Sequence, residues 1–324
     1  MAELILHIGM GKAASTTIQR SLLKEPSSPV SIGRHNKDIK LKGLEHMWWR
    51  GLISKPGNYA DQAIKILKDQ YLKSNNVVVL TDEVISSSIQ FLENLITNLT
   101  KIDTDIKFLL ITRNQITFLE SFYNHSMRSR VNAIIYPKYN YEISNRLKYE
   151  GNIDQWIDDL IKSYNRGDNN IISALNYDTV VSKINSSFNS NCVTVLPLEA
   201  LSTNPQYFIK EIAALFKMDD SIVYNTMGKK QNVSGKRLND YRFGTTIEKV
   251  FKLPVFSPFK RTGLSRNGIN KFFVFILSSL NLDVNCRLSE KSKSKISGIF
   301  ACSNLNLKAK IPFDLKKYGY PLTQ

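Results

Sequence analysis

Three sets of residues in this sequence have types and spacings that could do chemistry. The first is the stretch His7-Ile8-Gly9-Met10-Gly11-Lys12-Ala13-Ala14-Ser15-Thr16-Thr17. Small residues there permit a tight turn and a close backbone approach. If a helix starts near Ser15, its free N–H groups and the hydroxyls of Ser15, Thr16 and Thr17 make an anion site, with Lys12 as a mobile cation beside it. The second is Arg113, which closes an apolar run, with Ser121 eight residues later. A guanidinium fork matches a phosphate with two parallel donors. Eight residues are a little over two helical turns, so the serine hydroxyl turns back toward the strand end. The third is Asp82-Glu83, directly after another apolar run. Glu83 is the first candidate for a general base, Asp82 competes with it, and His35 is the alternate. Each set also has a plainer reading: a capped strand–helix turn, an ion pair where a helix begins, and acidic capping of a helix N-terminus.

These groups are useful only if strands deliver them to one edge. Continuous apolar runs at residues 4–8, 77–81, 106–112 and 193–196 read as strands covered on both faces. Helical patterns at 15–24, 60–74, 89–99, 116–128, 153–164, 177–184 and 206–216 separate them. Strands alternating with helices imply right-handed βαβ units, a parallel sheet flanked by helices and hence an α/β fold. Open sheets of this kind bind ligands at the carboxyl ends of their strands. Residues 25–34 and 127–141, rich in Ser, Pro, Asn or Tyr, read as loops over the site. No elements are assigned after Gly228.

The first stretch departs from the nucleotide-binding P-loop GxxxxGK[ST]. Leu6 stands five residues before Gly11, and Ala13 follows Lys12, so the magnesium-holding hydroxyl is missing from its place. It resembles instead the 5′-phosphosulfate loop of bacterial carbohydrate sulfotransferases, roughly H-I-G-x-x-K-T-G-[ST]-[ST]. His7, Ile8, Gly9, Lys12 and the Ser15-Thr16-Thr17 run match it, while Ala13-Ala14 replace Thr-Gly. Arg113-x7-Ser121 is similar to the family's 3′-phosphate signature, with Asn114-Gln115 where the family has Asp-Pro. The run from Val195 to Pro205 resembles a V-L-x-x-E-x-L-x-x-[DN]-P segment, and Asn232-Val233-Ser234 a late N-x-S. Asn304 through Pro321 is similar to the closing segment of the bacterial saccharide enzymes. The resemblance touches both ends of the chain and is weakest over residues 229–300.

The resemblance implies a P-loop NTPase-like sulfotransferase fold, with residues 1–228 as the core and 229–324 as a basic part of the same domain. It implies a sulfonate donor, 3′-phosphoadenosine 5′-phosphosulfate (PAPS), and no metal. The donor would be held by Gly11, Lys12, Ala13, Ala14, Ser15, Thr16, Thr17, Arg113 and Ser121. Lys12 would neutralise the leaving oxygen, and Glu83 or His35 would take the acceptor's proton. The acceptor would be a saccharide, on an anionic or lipid-linked glycan. Trp48, Trp49, Tyr136, Tyr139 and Tyr141 offer rings to stack on sugar faces, although core burial also suits the two tryptophans.

Composition limits the alternatives. The 324 residues carry a net charge of +16, with 42% hydrophobic residues, enough for a full core. Between Lys229 and Lys317 there are 19 basic and 5 acidic residues. That excess favours an anionic partner, including an anionic membrane surface, or is a solvated basic face. Cys192, Cys286 and Cys302 form no close pair, which fits a reducing, cytoplasmic setting. No apolar run reaches the roughly 20 residues a membrane span requires, and the start lacks the pattern of a signal peptide. A P-loop ATPase or kinase draws support from the apolar run ending in Asp82-Glu83. A nucleic-acid-binding protein draws support from charge alone, without a recognition motif.

Overall fold

The runs at 4–8, 77–81, 106–112 and 193–196 are strands because every residue in them can be buried, and β-branched side chains pack well on a pleat. The structure is a computed structural model that describes residues 2–9, 15–33, 44–72, 77–82, 85, 88–128, 152–189, 191–227 and 286–322. Strands β1 (Glu3–His7), β2 (Val30–Gly33), β3 (Val77–Thr81), β4 (Asp105–Thr112) and β5 (Val193–Pro197) form one sheet in the order β2-β3-β1-β4-β5. All four pairings are parallel. The α/β class, with a helix-flanked parallel sheet, is as expected.

The helices are α1 (Ser15–Arg20), α2 (Asn58–Ile66, prolonged by a π-helical turn to Tyr71), α3 (Ile89–Leu99) and α4 (Gln115–Arg128). Then come α5 (Ile153–Asn165), α6 (Ile171–Ala174), α7 (Tyr177–Ser187), α8 (Ala200–Thr203), α9 (Pro205–Phe216), α10 (Asp220–Met227) and α11 (Glu290–Lys308). None of the described helices is long and apolar enough to cross a membrane.

The chain divides into two compact units. The first comprises residues 1–118, 158–231 and 293–324, and the second 119–157 and 232–292. In the first unit, successive strand residues point to opposite faces. One face, with Ile5, Val79, Leu109, Ile111 and Leu196, packs on Ile18 and Leu22 and on Phe208, Ile212 and Phe216 of α9. On the other, Ile8 and Leu110 meet Ile89 and Leu92 of α3 and Val180 of α7. This split follows from right-handed crossovers: β1 connects leftward to β2, while β2, β3 and β4 connect rightward. In the second unit, buried Glu120 accepts the Leu288 N–H at 3.0 Å and pairs with Arg287 at 2.6 Å. Phe122 stacks on Trp156.

One sequence expectation is corrected, and of the two readings of Trp48 and Trp49 the core one holds. Residues 25–34 are not all loop, since Val30–Gly33 form the edge strand β2. Four residues with Val30 43% exposed leave too little apolar pattern to read. Trp48 and Trp49 lie in a 3-10 helix, Leu44–Ile53, at 4% and 2% exposure, so neither offers a face to a sugar. Trp48 stacks on Tyr71 at 5.5 Å, and the Trp49 indole donates to Asp82 at 3.0 Å. The amides of Asn94 and Asn98 in α3 hold this helix by donating to the carbonyls of Ile53, Leu52 and Ser54. Tyr136, Tyr139, Tyr141 and Asn232-Val233-Ser234 lie outside the described residues.

Gly33 has φ of +157°, and a Cβ there would lie 2.2 Å from the Thr81 carbonyl oxygen of the paired strand. Gly33→Ala should therefore cost about 1–3 kcal/mol, as overpacking against backbone does. Gly298→Ala, in an open stretch of α11, should add roughly 0.5–1 kcal/mol through helix propensity. Urea unfolding midpoints of the two variants should move in opposite directions.

Candidate active site

Parallel pairing brings the carboxyl ends of β1, β3, β4 and β5 out at one edge of the first unit. The central strand β1 sits between β3 and β4, with His7 beside Thr81 on one side and Leu109 on the other. The ladder runs one residue further, since the Ile8 N–H donates to the Leu109 carbonyl at 2.9 Å. At Gly9 an added Cβ would meet His7 Nε2 at 2.6 Å and Ile111 Cβ at 3.4 Å. A side chain at Gly9 would therefore have to displace the buried His7 ring, while Ile111 of β4 stands at ordinary contact distance. Arg113 follows two residues beyond Ile111, just after β4 ends. Between β1, which leads to β2, and the strands leading the other way lies the topological switch of the sheet, the position open α/β sheets use for ligands.

Under Gly9 lies a buried polar trio. His7 Nδ1 meets Thr81 Oγ1 at 2.8 Å, and Gln19 Nε2 donates to the same oxygen at 2.9 Å. Which of His7 Nδ1 and Thr81 Oγ1 donates depends on the imidazole tautomer, while the Thr81 oxygen accepts from Gln19 in either case. Among the described residues His7 Nε2 and Gln19 Oε1 have no hydrogen-bond partner, and both are buried. Burial pushes the His7 pKa down to about 4, because a charged ring here would lose its hydration with nothing in return. His7 is thus a neutral structural ring below the loop.

Arg113 stands on a second, larger network. The Tyr177 hydroxyl donates to the Arg113 carbonyl at 2.8 Å and accepts the Arg113 N–H at 3.3 Å. The Asn114 N–H donates to Glu199 Oε1 at 2.9 Å. Asn114 Oδ1 caps α4 by accepting the N–H groups of Ile116 and Thr117, and its Nδ2 donates to the Gly319 carbonyl at 2.5 Å. Glu199 Oε2 accepts the Tyr320 hydroxyl at 3.2 Å, and Tyr320 also meets Thr112 Oγ1 at 3.0 Å. Gln115 and Asn304 exchange a reciprocal amide pair at 2.8 and 3.2 Å. Burial and the Glu199 charge raise the Tyr320 pKa. Burial chiefly raises that of Tyr177, so both phenols keep their protons.

The sequence-derived candidates fall out as follows. Arg113 is half-buried at the β4 edge. Ser15 and Thr16 open α1, and Thr17 is 8% exposed. Ser121 lies in α4, in the second unit, half-buried. Gly11, Lys12, Ala13, Ala14, His35 and Glu83 lie outside the described residues. Asp82, the competitor of Glu83, is 2% exposed, accepts the Trp49 indole and faces Arg50 Nε at 3.7 Å, an anchor for the 3-10 helix. Sequence reasoning missed Gln19, Tyr177, Glu199 and Tyr320 as supports of the site. Their signal is a contact between segments up to 208 residues apart, which a single sequence does not display.

The low pKa of His7 has a consequence for stability. The unfolded histidine titrates near 6.5 and the folded one at about 4. The fold therefore binds fewer protons, and stability is full above about pH 6.5 and falls as the pH drops toward 4. The slope approaches about 1.4 kcal/mol per pH unit in that window, for roughly 3 kcal/mol in all. Urea unfolding from pH 7 to 4.5 should show this slope, and His7→Gln should lose it.

No family model and no curated protein matches the chain. Among solved structures, the chain is similar to a sulfotransferase from Alicyclobacillus acidocaldarius, with 12% identity over 97% of this chain and 98% of that one and a TM-score of 0.48. It is also similar to the sulfotransferase domain of the Synechococcus PCC 7002 olefin synthase, with 14% identity over 73% and 78% of the two chains and a TM-score of 0.37. Neither likeness assigns the chain to a family.

Proposed function

We propose that this chain is a PAPS-dependent sulfotransferase that moves a sulfonate group to a saccharide hydroxyl by in-line transfer with a carboxylate general base. The observation that carries the reading is the junction of β1 and β4. The chain leaves the central strand at Gly9, packed on the buried His7 ring and within ordinary contact of Ile111 on the strand that Arg113 follows. The sequence then supplies Gly11, Lys12, Ala13, Ala14, Ser15, Thr16 and Thr17 as donors for one anion and Arg113 for a second. Two separate anion sites suit a nucleotide phosphorylated at both ends.

PAPS supplies an activated sulfonate and, on losing it, a phosphate leaving group. The bond between sulfur and the bridging phosphate oxygen breaks, one forms to the acceptor oxygen, and the acceptor proton goes to a base. Lys12 neutralises charge growing on the bridging oxygen. Arg113, with Ser121 as its partner in this proposal, holds the 3′-phosphate. Glu83 is the base, with His35 the alternative. The saccharide assignment draws on the resemblance of Asn304 to Pro321 and on the basic excess after Lys229, which suits an anionic or lipid-linked glycan. The same charge would hold a cytoplasmic enzyme at an anionic inner membrane surface. An ATPase or kinase would need magnesium, and a nucleic-acid-binding protein would bind DNA with a steep salt dependence.

Calorimetric titration tests the nucleotide site. The desulfated product, 3′-phosphoadenosine 5′-phosphate, should bind without magnesium, more tightly than ATP, and about tenfold or more tighter than adenosine 5′-phosphate, since a charged hydrogen bond contributes about 1.5–3 kcal/mol. Equal affinity for the two monophosphate-ended nucleotides removes the 3′-phosphate clamp.

Transfer kinetics with labelled PAPS and a panel of oligosaccharides, lipid-linked sugars and phenols test the chemistry. Lys12→Ala should lower turnover more than product binding, because its charge matters most in the transition state. Glu83→Gln should retain nucleotide affinity and lose about 10²- to 10⁴-fold in rate. An inactive His35→Ala beside a near-normal Glu83→Gln would move the base to His35. Transfer to phenols alone would exclude a saccharide acceptor.

A further inference from the structure

The backbone of Arg113 is held in an unusual way. Along β4 the hydrogen-bonding groups alternate between the neighbouring strands. The Phe108 N–H and the Thr112 carbonyl engage the β5 side, through Cys192 and Leu198, while the Leu109 carbonyl engages Ile8 on the β1 side. By that alternation the N–H and carbonyl of Arg113 face the β1 side, beyond the last described bond of the ladder, from the Ile8 N–H to the Leu109 carbonyl. Buried backbone polar groups need partners, and one atom serves both: the Tyr177 hydroxyl, donating to the carbonyl and accepting the N–H. A hydroxyl is the side-chain group that can do this with a single oxygen.

Tyr177 is itself immobilised. Its side chain is 1% exposed. Asn176, the residue before it, caps α7 by accepting the Thr179 N–H at 3.3 Å and also accepts the Ser303 hydroxyl of α11. On the other side of Arg113, Asn114 is tied to Glu199 and Gly319. The residue carrying the guanidinium is thus clamped at its own peptide groups and at the next residue, while its side chain stays half-buried at the strand edge.

We propose that Tyr177 is a positioning residue for anion recognition by Arg113: its hydroxyl holds both the N–H and the carbonyl of Arg113 just past the end of β4 and so fixes the direction in which the guanidinium leaves the sheet. This rests on the nucleotide reading above and adds to it a residue 64 positions downstream. Burial keeps the phenol protonated, so the carbonyl keeps its donor across the working pH range. A purely structural tyrosine would change stability and leave ligand preference alone, since destabilisation affects the binding of two nucleotides alike. A positioning tyrosine changes their ratio.

The experiment is the affinity of 3′-phosphoadenosine 5′-phosphate relative to adenosine 5′-phosphate, measured by calorimetry on the full chain and on Tyr177→Phe. The expected result is a wild-type ratio of tenfold or more that falls at least fivefold in Tyr177→Phe, with the affinity for adenosine 5′-phosphate unchanged within twofold. Glu199→Gln, which loosens the hold on Asn114, should shift the ratio in the same direction by less, and it decides the matter if Tyr177→Phe does not fold. A wild-type preference that survives in the variant overturns the role of Tyr177 and leaves the nucleotide reading standing. No preference in the wild type overturns both.

Discussion

The Glu199 carboxylate accepts the Asn114 N–H with one oxygen and the Tyr320 phenol with the other. Those two bonds tie the end of β5 to the β4–α4 turn and to the last residues of the described chain. Much else follows from them. With its backbone fixed, Asn114 can cap α4 with its oxygen and reach the Gly319 carbonyl with its nitrogen. With Tyr320 in place, the buried Thr112 hydroxyl at the strand end has a partner. In a low-dielectric setting such a network strengthens when complete and is costly when a member is lost. The strand edge that presents Arg113 is therefore rigid because of residues far from it in sequence.

This explains the departure at Asn114-Gln115 from the Asp-Pro of the resembled signature. Read in sequence, it is a weakened motif. In the structure both side chains are fully used. An aspartate could cap α4 but could not donate to Gly319. A proline could not form the two-way amide pair that Gln115 makes with Asn304, whose own amide goes on to donate to the Pro321 carbonyl at 2.8 Å. The change at positions 114 and 115 is matched by partners about 190 and 205 residues later. The resemblance had marked both segments separately, and the folded chain joins them.

The sheet was largely legible because its strands are continuous apolar runs, and β3 and α3 begin and end where the pattern does. β2 was not legible, since Val-Ser-Ile-Gly at a sheet edge has neither length nor alternation. Trp48 and Trp49 could be read either way, because an indole suits a core as well as a sugar, and the core reading is the one the structure shows. In α11 the apolar signal is diluted by Lys and Ser, and only Ile296, Phe300, Ala301 and Leu307 are deeply buried among its apolar residues. Of the site, the segments were readable and their mutual support was not. His7 looked like a strand residue, and it is one; its pairing with Thr81 and Gln19 depends on the order of strands, which no local pattern encodes.

The basic excess of the last third is unevenly compensated. Over residues 286–317 there are eight basic and two acidic residues. Four of those basic groups nevertheless pair with carboxylates in the described structure: Arg287 with Glu120, Lys295 with Asp158, Lys308 with Asp314 and Lys310 with Asp178. Three of these carboxylates come from earlier in the chain, so a count confined to the last third overstates the charge a partner would meet there. Exposed pairs of this kind add little to stability, yet each cancels a local field. Residues 229–285 hold 11 basic against 3 acidic residues. In α11 the paired Lys295 and Lys308 have their charge offset locally, on a helix whose buried Asn304 supports the platform of Arg113.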